Sequence, residues 1–372
     1  MKKYGKLSLV AAVAAMGLTA ANAADDMGLN VQAGVKSQFF DRKAEGSSSD
    51  SIAGVSGYLK VTTKEYKGLT AGAEVQFNTI ISDADTTAFN GDMNGEGAIL
   101  SEGYLQYTTG NTGIKVGRQH IATPILSNSG SRLVKDSFEG VTVVNKDIKN
   151  TTLVAGYVSK ASTRTDGAGD IGPFEDISTD GGYTLMMKTQ VSPALALTAQ
   201  YVTVQDDAGD KDVLYAQADY KVNETVKVAG QVLSSDNNGV NGTLVGVKAD
   251  AKMGAINLTA AYTSTGDENV VRGFGHGAVP AFAKLSVGSG IPAYAADTNG
   301  YMVKASTNVS GVKVGAGFAS YDHTVTNLTE TETEISASYK LTANASLAVS
   351  HTMFGQDSTK DHETRVTLAY KF

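Results

Sequence analysis

The last ten residues alternate regularly between apolar and polar side chains. Val366, Leu368, Tyr370 and Phe372 share one face, and the residues between them form a mostly polar face. A period of two predicts a β-strand with one apolar face. A soluble β-sandwich can end on such a strand. An outward aromatic at the terminus is more typical of a transmembrane β-barrel, whose strands are about 9–11 residues long between two aromatic girdles.

The same alternation recurs along the chain in segments of about ten residues. We predict strands near residues 29–39, 52–63, 69–79, 98–108, 112–119, 138–146, 150–160, 181–191, 195–205, 212–222, 225–234, 242–251, 255–264, 299–308, 311–321, 331–341, 345–355 and 361–372. These segments add up to eighteen strands.

The connections between these segments alternate in length. Short connections such as 110–111 and 309–310 are followed by longer polar ones such as 120–137, 161–180, 235–241 and 265–298. Outer-membrane barrels have this alternation, because their periplasmic turns are short and their extracellular loops are long. The sequence therefore predicts an all-β fold: a transmembrane antiparallel barrel of 18 strands in the bacterial outer membrane, with both ends in the periplasm.

The N-terminus predicts export from the cytoplasm. Lys2 and Lys3 precede an apolar run over residues 7–18, and Ala21-Asn22-Ala23 provides a small-residue cleavage site. This is the pattern of a secretory signal peptide. We therefore expect residues 1–23 to be a signal peptide and residues 24–372 to form one barrel domain.

Composition excludes several other classes. The chain of 372 residues has no Cys, which rules out disulfides, thiol chemistry and Cys-ligated metals. The net charge of −7 argues against nucleic-acid binding. The mean hydropathy of −0.12 is close to zero, as expected when apolar and polar faces alternate, whereas a bundle of membrane helices would be far more apolar.

The facing rule of the last strand assigns the charged residues to the two sides of the barrel wall. A charge that faced lipid at the midplane would cost about 2–4 kcal/mol, so charged strand residues should face the lumen or lie near a rim. The predicted pore-wall residues are Lys36, Lys60, Lys115, Lys313 and Arg365. A positive lumen would favour anions and carboxylates. In the alternative interpretation, many of these lysines only extend to the periplasmic edge.

The third long connection differs in composition from an exposed loop. It mixes apolar with basic residues, as expected for a loop that folds into the lumen and narrows it. The predicted constriction residues are Arg118, His120, Arg132 and Lys135. Strict alternation from Ile114 would turn Arg118 outward unless the strand has already ended.

This stretch carries a resemblance to a known family. The matching residues are Gly117, Pro124, Asn128, Ser131, Arg132, Leu133, Phe138 and Gly140. Their pattern resembles the OprD family of outer-membrane porins. The signal peptide and the overall character of the sequence are similar to porins of Campylobacter-related bacteria, including their major outer-membrane porin. The resemblance implies a barrel narrowed by the third loop with help from the seventh, and a series of basic residues that guides solute carboxylates.

The resemblance also assigns roles to single residues. Arg132 maps onto the family's loop arginine, and Phe372 onto the terminal aromatic that the barrel insertion machinery reads. The chain departs from the family in having few Arg, so its basic series is mostly Lys. Because Lys cannot bind a carboxylate in a bidentate manner, we expect weaker selectivity than in relatives.

The function predicted from the sequence is passive diffusion of small hydrophilic solutes and ions through a water-filled pore. Catalysis is not expected, because the five His are scattered and neither Gly-x-Ser-x-Gly nor His-Glu-x-x-His is present. No cofactor is expected, and no residue is assigned to a metal site, since no Asp-x-Asp-x-Asn-Gly calcium loop occurs. The sequence leaves open whether the acidic loops bind calcium. A surface adhesin or structural barrel with acidic loops is the alternative.

The partners expected from this function are outer-membrane lipid and lipopolysaccharide, small hydrophilic solutes and the barrel insertion machinery. The sequence leaves open whether the chain is a monomer or a homotrimer, because the contact faces of trimeric porins are ordinary apolar strand faces.

Overall fold

The computed structural model describes residues 28–43, 49–83, 95–207, 209–285, 291–356 and 359–372. The predicted signal peptide, residues 1–23, lies outside these ranges. Among the described residues, no helix has the length and apolar character needed to cross a membrane.

The described residues form nineteen β-strands in chain order. The first nine are β1 (Leu29–Lys43), β2 (Ser49–Thr63), β3 (Leu69–Asp83), β4 (Gly97–Thr109), β5 (Thr112–Gln119), β6 (Ser137–Asn145), β7 (Thr151–Ser162), β8 (Glu175–Asp176) and β9 (Gly182–Gln190). The remaining strands are β10 (Leu195–Val204), β11 (Lys211–Lys221), β12 (Val226–Asn237), β13 (Val240–Met253), β14 (Ile256–Thr265), β15 (Thr298–Val309), β16 (Val312–His323), β17 (Leu328–Lys340), β18 (Ala345–Gln356) and β19 (Thr359–Lys371).

The sheet closes on itself. Each long strand pairs antiparallel with its neighbours in the chain, and β1 pairs with β19 in the register Gly34 to Lys371. The two-residue strand β8 only extends the edge of β7 beyond the point where β9 pairs with β7. The other eighteen strands form the ring, and each overlaps one predicted segment, so the predicted barrel and its strand count are confirmed.

The outer face of the ring is apolar, as alternation predicts. Leu105, Leu185, Val247 and Ile335 are among its exposed side chains. Towards the long loops, aromatic pairs include Tyr157 with Tyr183, whose ring centroids are 5.0 Å apart, and Tyr262 with Tyr301, at 5.2 Å. At the short-turn side, Tyr370 and Phe372 pack edge to face at 4.9 Å. Such aromatic rows at both ends are typical of the two membrane interfaces.

One predicted loop is absent. The sequence predicted a long polar connection over residues 235–241, but β12 and β13 continue through it and join at Asn238 and Gly239 alone. Both residues have positive φ, at 54° and 86°, as a two-residue hairpin turn requires. The prediction was wrong because strand residues beyond the apolar band face water on both sides, so they carry no alternating signal.

Two long loops fold inside the barrel. The third loop comprises residues 120–136 and the seventh comprises residues 266–297, of which 286–290 are outside the described residues. Their apolar side chains pack with inward-facing residues of the β10–β16 wall into one cluster. Its members include Ile125 and Leu126 of the third loop, Ala281 and Tyr294 of the seventh, and Val213, Leu233, Leu244, Met302 and Tyr321 of the wall.

Backbone hydrogen bonds join the two loops. The amide of Ser127 donates to the carbonyl of Phe274 over 3.0 Å, and the amide of Phe274 donates to Ile125 over 2.9 Å. The amide of Gly277 donates to Ser127 over 2.9 Å. At position 277 a Cβ atom would lie 1.9 Å from the carbonyl oxygen of Asn128, so this approach requires glycine.

We predict that Gly277→Ala separates the two loops. Removing the overlap between the new methyl group and the third-loop backbone should cost about 1–3 kcal/mol, as overpacking does elsewhere. Thermal unfolding of the purified barrel should then begin at a lower temperature, and single-channel currents should fluctuate more. Gly130→Ala is the matched control, because a Cβ there would meet only Lys135 Cε at 3.7 Å. Equal behaviour of the two variants would contradict the close contact.

The terminal residue lies at the closing seam. The amide of Phe372 donates to the carbonyl of Ala33 over 3.0 Å, which adds one hydrogen bond beyond the last paired residue of β19.

We predict that deletion of Phe372 reduces barrel assembly more than conductance, since it removes a seam hydrogen bond and the terminal aromatic ring. The first measurement is the fraction of the protein in isolated membranes that migrates on gels as a folded barrel until it is heated. The second is the conductance of the channels that do assemble. Phe372→Tyr keeps both features and should assemble normally. Normal assembly of the deletion variant would exclude the proposed role.

Candidate functional site

The third loop crosses the lumen and is held at both walls. Near its start, the amide of Ile125 donates to Gln200 Oε1 on β10 over 3.0 Å. Further along, Lys36 Nζ on β1 donates to the carbonyls of Gly130, at 2.9 Å, and Arg132, at 2.5 Å. The amide of Lys135 donates to Gln76 Oε1 on β3 over 3.0 Å. The loop is therefore a strap between opposite walls, as predicted for a constriction.

A buried aromatic ring orients two arginines. Phe40 on β1 is fully buried and packs with Ile52 and Leu133. The guanidinium carbon of Arg132 lies 5.2 Å from the centre of the Phe40 ring, and that of Arg365 lies 4.6 Å from it. Contacts of this kind are worth about 0.5–2 kcal/mol. Phe40 thus brings an arginine of the third loop beside an arginine of β19.

A buried carboxylate connects the second arginine to a third. Arg365 donates to Glu363 Oε1 over 2.9 Å, and Arg42 donates to Glu363 Oε2 over 2.5 Å. None of the residues Phe40, Arg42 and Glu363 was predicted from the sequence. One signal was available for Phe40: in a strand, only one of the adjacent residues Phe39 and Phe40 can face outward.

Two cavities meet the strap from opposite sides. On the long-loop side, a cavity of about 500 Å³ is lined by Arg42, Arg132 and Glu363 among others. On the short-turn side, a cavity of about 450 Å³ is lined by Ser131 and Arg365, and also by Lys304 and Lys313. The adjacent residues Ser131 and Arg132 therefore mark the narrow level between them.

The predicted basic residues divide into two groups. Lys36, Arg132, Lys135 and Arg365 come together around the strap, and Lys313 lines the cavity on the short-turn side. The other wall lysines lie elsewhere along the lumen. Lys115 Nζ lies 4.2 Å from the centre of the Tyr104 ring, and Lys60 lies 5.9 Å from it while also pairing with Glu102.

The assignment of Arg118 to the constriction is wrong. Arg118 pairs across the sheet with Gly103 and Glu139, which puts it on the same face as the exposed Leu105 and Val116. Its Nε donates to Glu139 Oε2 over 2.9 Å, and its guanidinium carbon lies 4.1 Å from the centre of the Phe174 ring. Arg118 therefore lies outside the barrel wall, where strict alternation placed it.

His120 lies at the base of the third loop, as predicted. Its Nε2 is 2.9 Å from Glu74 Oε1, and its Nδ1 is 3.0 Å from the carbonyl oxygen of Asp136. The Asp136 carboxylate at the other end of the loop accepts hydrogen bonds from His276 Nδ1, at 2.7 Å, and from the His276 amide, at 2.9 Å. Burial would raise the pKa of Asp136, but these hydrogen bonds outweigh it and hold that pKa below its usual value.

An acidic row faces the same passage. Glu330, Glu332 and Glu334 occupy every second position of β17, on the face opposite to the outward residue Ile335. They line the two cavities beside the strap. His323 Nε2 is 3.2 Å from Glu330 Oε1. Only β18 separates this row from Arg365 on β19, so acidic and basic residues line the same part of the wall.

A lysine of the seventh loop was missed by the sequence analysis. Lys284 donates to the carbonyl of Val279 and lines a cavity of about 470 Å³ together with Lys248 and Lys304. Burial, and then the charges of Lys304 and Lys248, lower the pKa of Lys284 to about 8. Alternation could not identify it, because a residue in a long loop has no strand partner to assign its side.

Comparison with known proteins agrees with this architecture. The model of the OprD family, described as outer membrane porins, matches residues 102–306, which is more than half of the chain. The chain belongs to the OprD family. It is an outer-membrane porin, and the family resemblance in the sequence is confirmed. No curated protein matches the porin significantly.

Solved structures with the same fold span nearly all of the porin. OccK9 (OpdG) of Pseudomonas aeruginosa has a TM-score of 0.79 at 16% identity, over 93% of this chain and 98% of that one. OpdK of the same organism, solved with vanillate, has a TM-score of 0.76 at 13% identity, over 93% and 99%. OccAB4 of Acinetobacter baumannii has a TM-score of 0.74 at 15% identity, over 92% and 98%. At these identities the likeness shows the shared fold.

We predict that anion selectivity falls as the pH rises through about 8. Lys284 lies in a loop outside the membrane-crossing strands, and its pKa is lowered to about 8. It is therefore charged below that pH and neutral above it. Reversal potentials in a salt gradient, measured between pH 7 and 9, should shift towards lower anion preference.

Lys284→Met should reduce this pH dependence. Lys146→Met, in an exposed short turn, should retain it. The role of Lys284 is contradicted when wild type and Lys284→Met respond equally to pH.

Proposed function

We propose that this porin allows passive diffusion of small hydrophilic solutes and favours those that carry a carboxylate. The observation that carries the proposal is the pair Arg132 and Arg365, oriented by Phe40 at the narrow level between two cavities. Lys36 and Lys135 add positive charge at the same level.

The chemistry of guanidinium supports this preference. A guanidinium presents parallel N–H donors that match the two oxygens of a carboxylate, and such charge-assisted hydrogen bonds are about twice as strong as neutral ones. The low-dielectric loops on one side of the passage strengthen the field that an entering anion meets. Arg365 shares Glu363 with Arg42, which fixes its position and also reduces its net attraction.

The comparison with OpdK is consistent with this substrate class. That protein was solved with vanillate, an aromatic carboxylate. Because the two chains are only 13% identical, the comparison supports the chemical class and does not identify the solute.

A second candidate preference is for zwitterions. The acidic row of Glu330, Glu332 and Glu334 on β17 lines the same passage as the arginines. A solute with a carboxylate and an ammonium group, such as an amino acid, could align with both charges. Liposome-swelling rates distinguish the two preferences: an amino acid should enter faster than the matching simple carboxylate only in the zwitterion case.

The remaining parts of the function are proposals of the same kind. Members of the OprD family are channels, and we propose no catalysis or energy coupling for this one. We also propose that residues 1–23 are removed on export, that the mature barrel spans residues 24–372, and that the insertion machinery recognises Phe372. Outer-membrane lipid surrounds the apolar wall, and assembly as a homotrimer is compatible with its apolar strand faces.

We predict that Arg132→Ala lowers anion preference. Removing one of the two guanidiniums at the narrow level weakens the positive potential there, so the reversal potential in a salt gradient should move towards the cation side. Block of the current by added carboxylates should also need higher concentrations.

Arg118→Ala is the matched control, since it removes the same charge from the outer face of the wall. It should leave the reversal potential close to that of the wild type. Clear cation selectivity of the wild-type channel would falsify the proposed preference for carboxylates.

A further inference from the structure

Three potential metal ligands converge at the base of the third loop. They are Glu74 on β3, Glu102 on β4 and His120, the first residue of the loop. One donor atom of each lies within 4.8 Å of the others. The two carboxylates are nearly fully buried, with 5% and 3% exposure, although they face the lumen side of the wall.

The two glutamates form a directly opposed pair. Glu74 and Glu102 are cross-strand partners, and the register shifts at this point because Ser101 is an extra residue in β4. Two like charges directly opposite each other destabilise a sheet, so such a pair requires a compensating cation. β-Bulges are over-represented next to functional sites, where they redirect a side chain. Ser101 Oγ donates to Glu74 Oε1 over 3.1 Å, which helps to hold that carboxylate.

The imidazole of His120 is oriented as a metal ligand would be. Its Nδ1 lies 3.0 Å from the carbonyl oxygen of Asp136. A carbonyl only accepts, so Nδ1 carries the hydrogen. The lone pair of neutral Nε2 then points at Glu74 Oε1, 2.9 Å away. Two acceptors at this distance need either a proton on Nε2 or a metal ion that binds both atoms. A backbone carbonyl that fixes the second ring nitrogen is the usual outer-shell partner of a metal-bound His.

A lysine provides the remaining compensation when no metal is bound. Lys60 Nζ on β2 forms an ion pair with Glu102 Oε2. The Lys60 side chain is 24% exposed, so its ammonium has a second favourable position in the water of the lumen. A divalent cation could therefore displace Lys60 without leaving its charge unpartnered.

We propose that Glu74, Glu102 and His120 bind a divalent transition-metal ion of the Zn²⁺ type. One imidazole nitrogen and two carboxylate oxygens are ligands that Zn²⁺ accepts, and water would complete the coordination. The site goes beyond solute passage: it joins the base of the constriction loop to β3 and β4. Glu74 Oε1 and Gln76 belong to the same strand, and Gln76 accepts from the Lys135 amide, so the bound ion would stiffen both ends of the strap.

The sequence did not predict this site, because residues 74, 102 and 120 match no ligand spacing. Local metal motifs place ligands within one turn or hairpin. Here two strands and a loop each contribute one residue, and only their register in the barrel brings them together.

The direct test is Zn²⁺ titration of the purified, folded barrel in detergent, monitored by competition with a chromophoric chelator. We expect one Zn²⁺ per chain, with affinity lowered at least about tenfold in His120→Ala and in Glu74→Gln. Co²⁺ should give visible ligand-field bands with the wild type that are lost in His120→Ala. His323→Ala, on β16 beside Glu330 and six strands from β3 around the ring, is the matched control and should bind as the wild type does.

Lys60→Met provides an independent test, because it keeps all three ligands and removes the competing ammonium. Zn²⁺ should bind several-fold more tightly to this variant. The proposal is overturned when the wild type binds no Zn²⁺, when binding is unaffected by both ligand substitutions, or when Lys60→Met gives no tighter binding. The last comparison remains decisive even when His120→Ala fails to assemble. None of these readouts depends on the solute preference of the pore.

Discussion

Closure of the backbone hydrogen-bond ladder is the constraint on which the rest of the porin depends. In lipid, no water can satisfy a free strand edge, so a sheet that crosses the membrane has to pair its last strand with its first. The β1–β19 seam does this. In the closed ring, successive side chains of each strand point alternately to the lipid and to the lumen. The alternation seen in the sequence is the direct result of that geometry.

The lumen that closure creates is divided into two unlike halves. Along β10–β16, inward residues such as Val213 and Leu233 are apolar because the third and seventh loops cover them. Along the other strands, inward residues such as Gln38, Glu74 and Glu363 are polar or charged, whereas Phe40 and Ile52 are covered by Leu133 of the third loop. The covered half holds the strap rigidly in place, and the wet half supplies Lys36, Arg365 and the acidic row of β17. The third loop, packed on the covered half, thereby brings Arg132 beside Arg365 of the other half.

Arg118 illustrates how two kinds of sequence argument can disagree. Its place at the start of the third loop suggested a role in the constriction, whereas strict alternation from Ile114 turned the side chain outward. The cross-strand register agrees with alternation, since Arg118 lies beside Gly103 and Glu139 on the outer face. Period two reflects a covalent property of extended backbone, so it holds residue by residue. Nearness to an inward-folding loop does not assign the side of a residue that still belongs to the strand.

The sequence by itself determined the barrel class, the eighteen strands and the lumen side of wall residues such as Lys36, Lys115 and Arg365, because these depend on local alternation and closure. It also indicated that the third loop turns inward and that Arg132 belongs to it. Only the tertiary structure decided that Phe40 orients Arg132 beside Arg365. The same holds for the position of Lys284 in the lining of a lumen cavity and for the convergence of Glu74, Glu102 and His120. Those contacts join residues far apart in the chain, and they arise from strand register and loop packing, which no local pattern encodes.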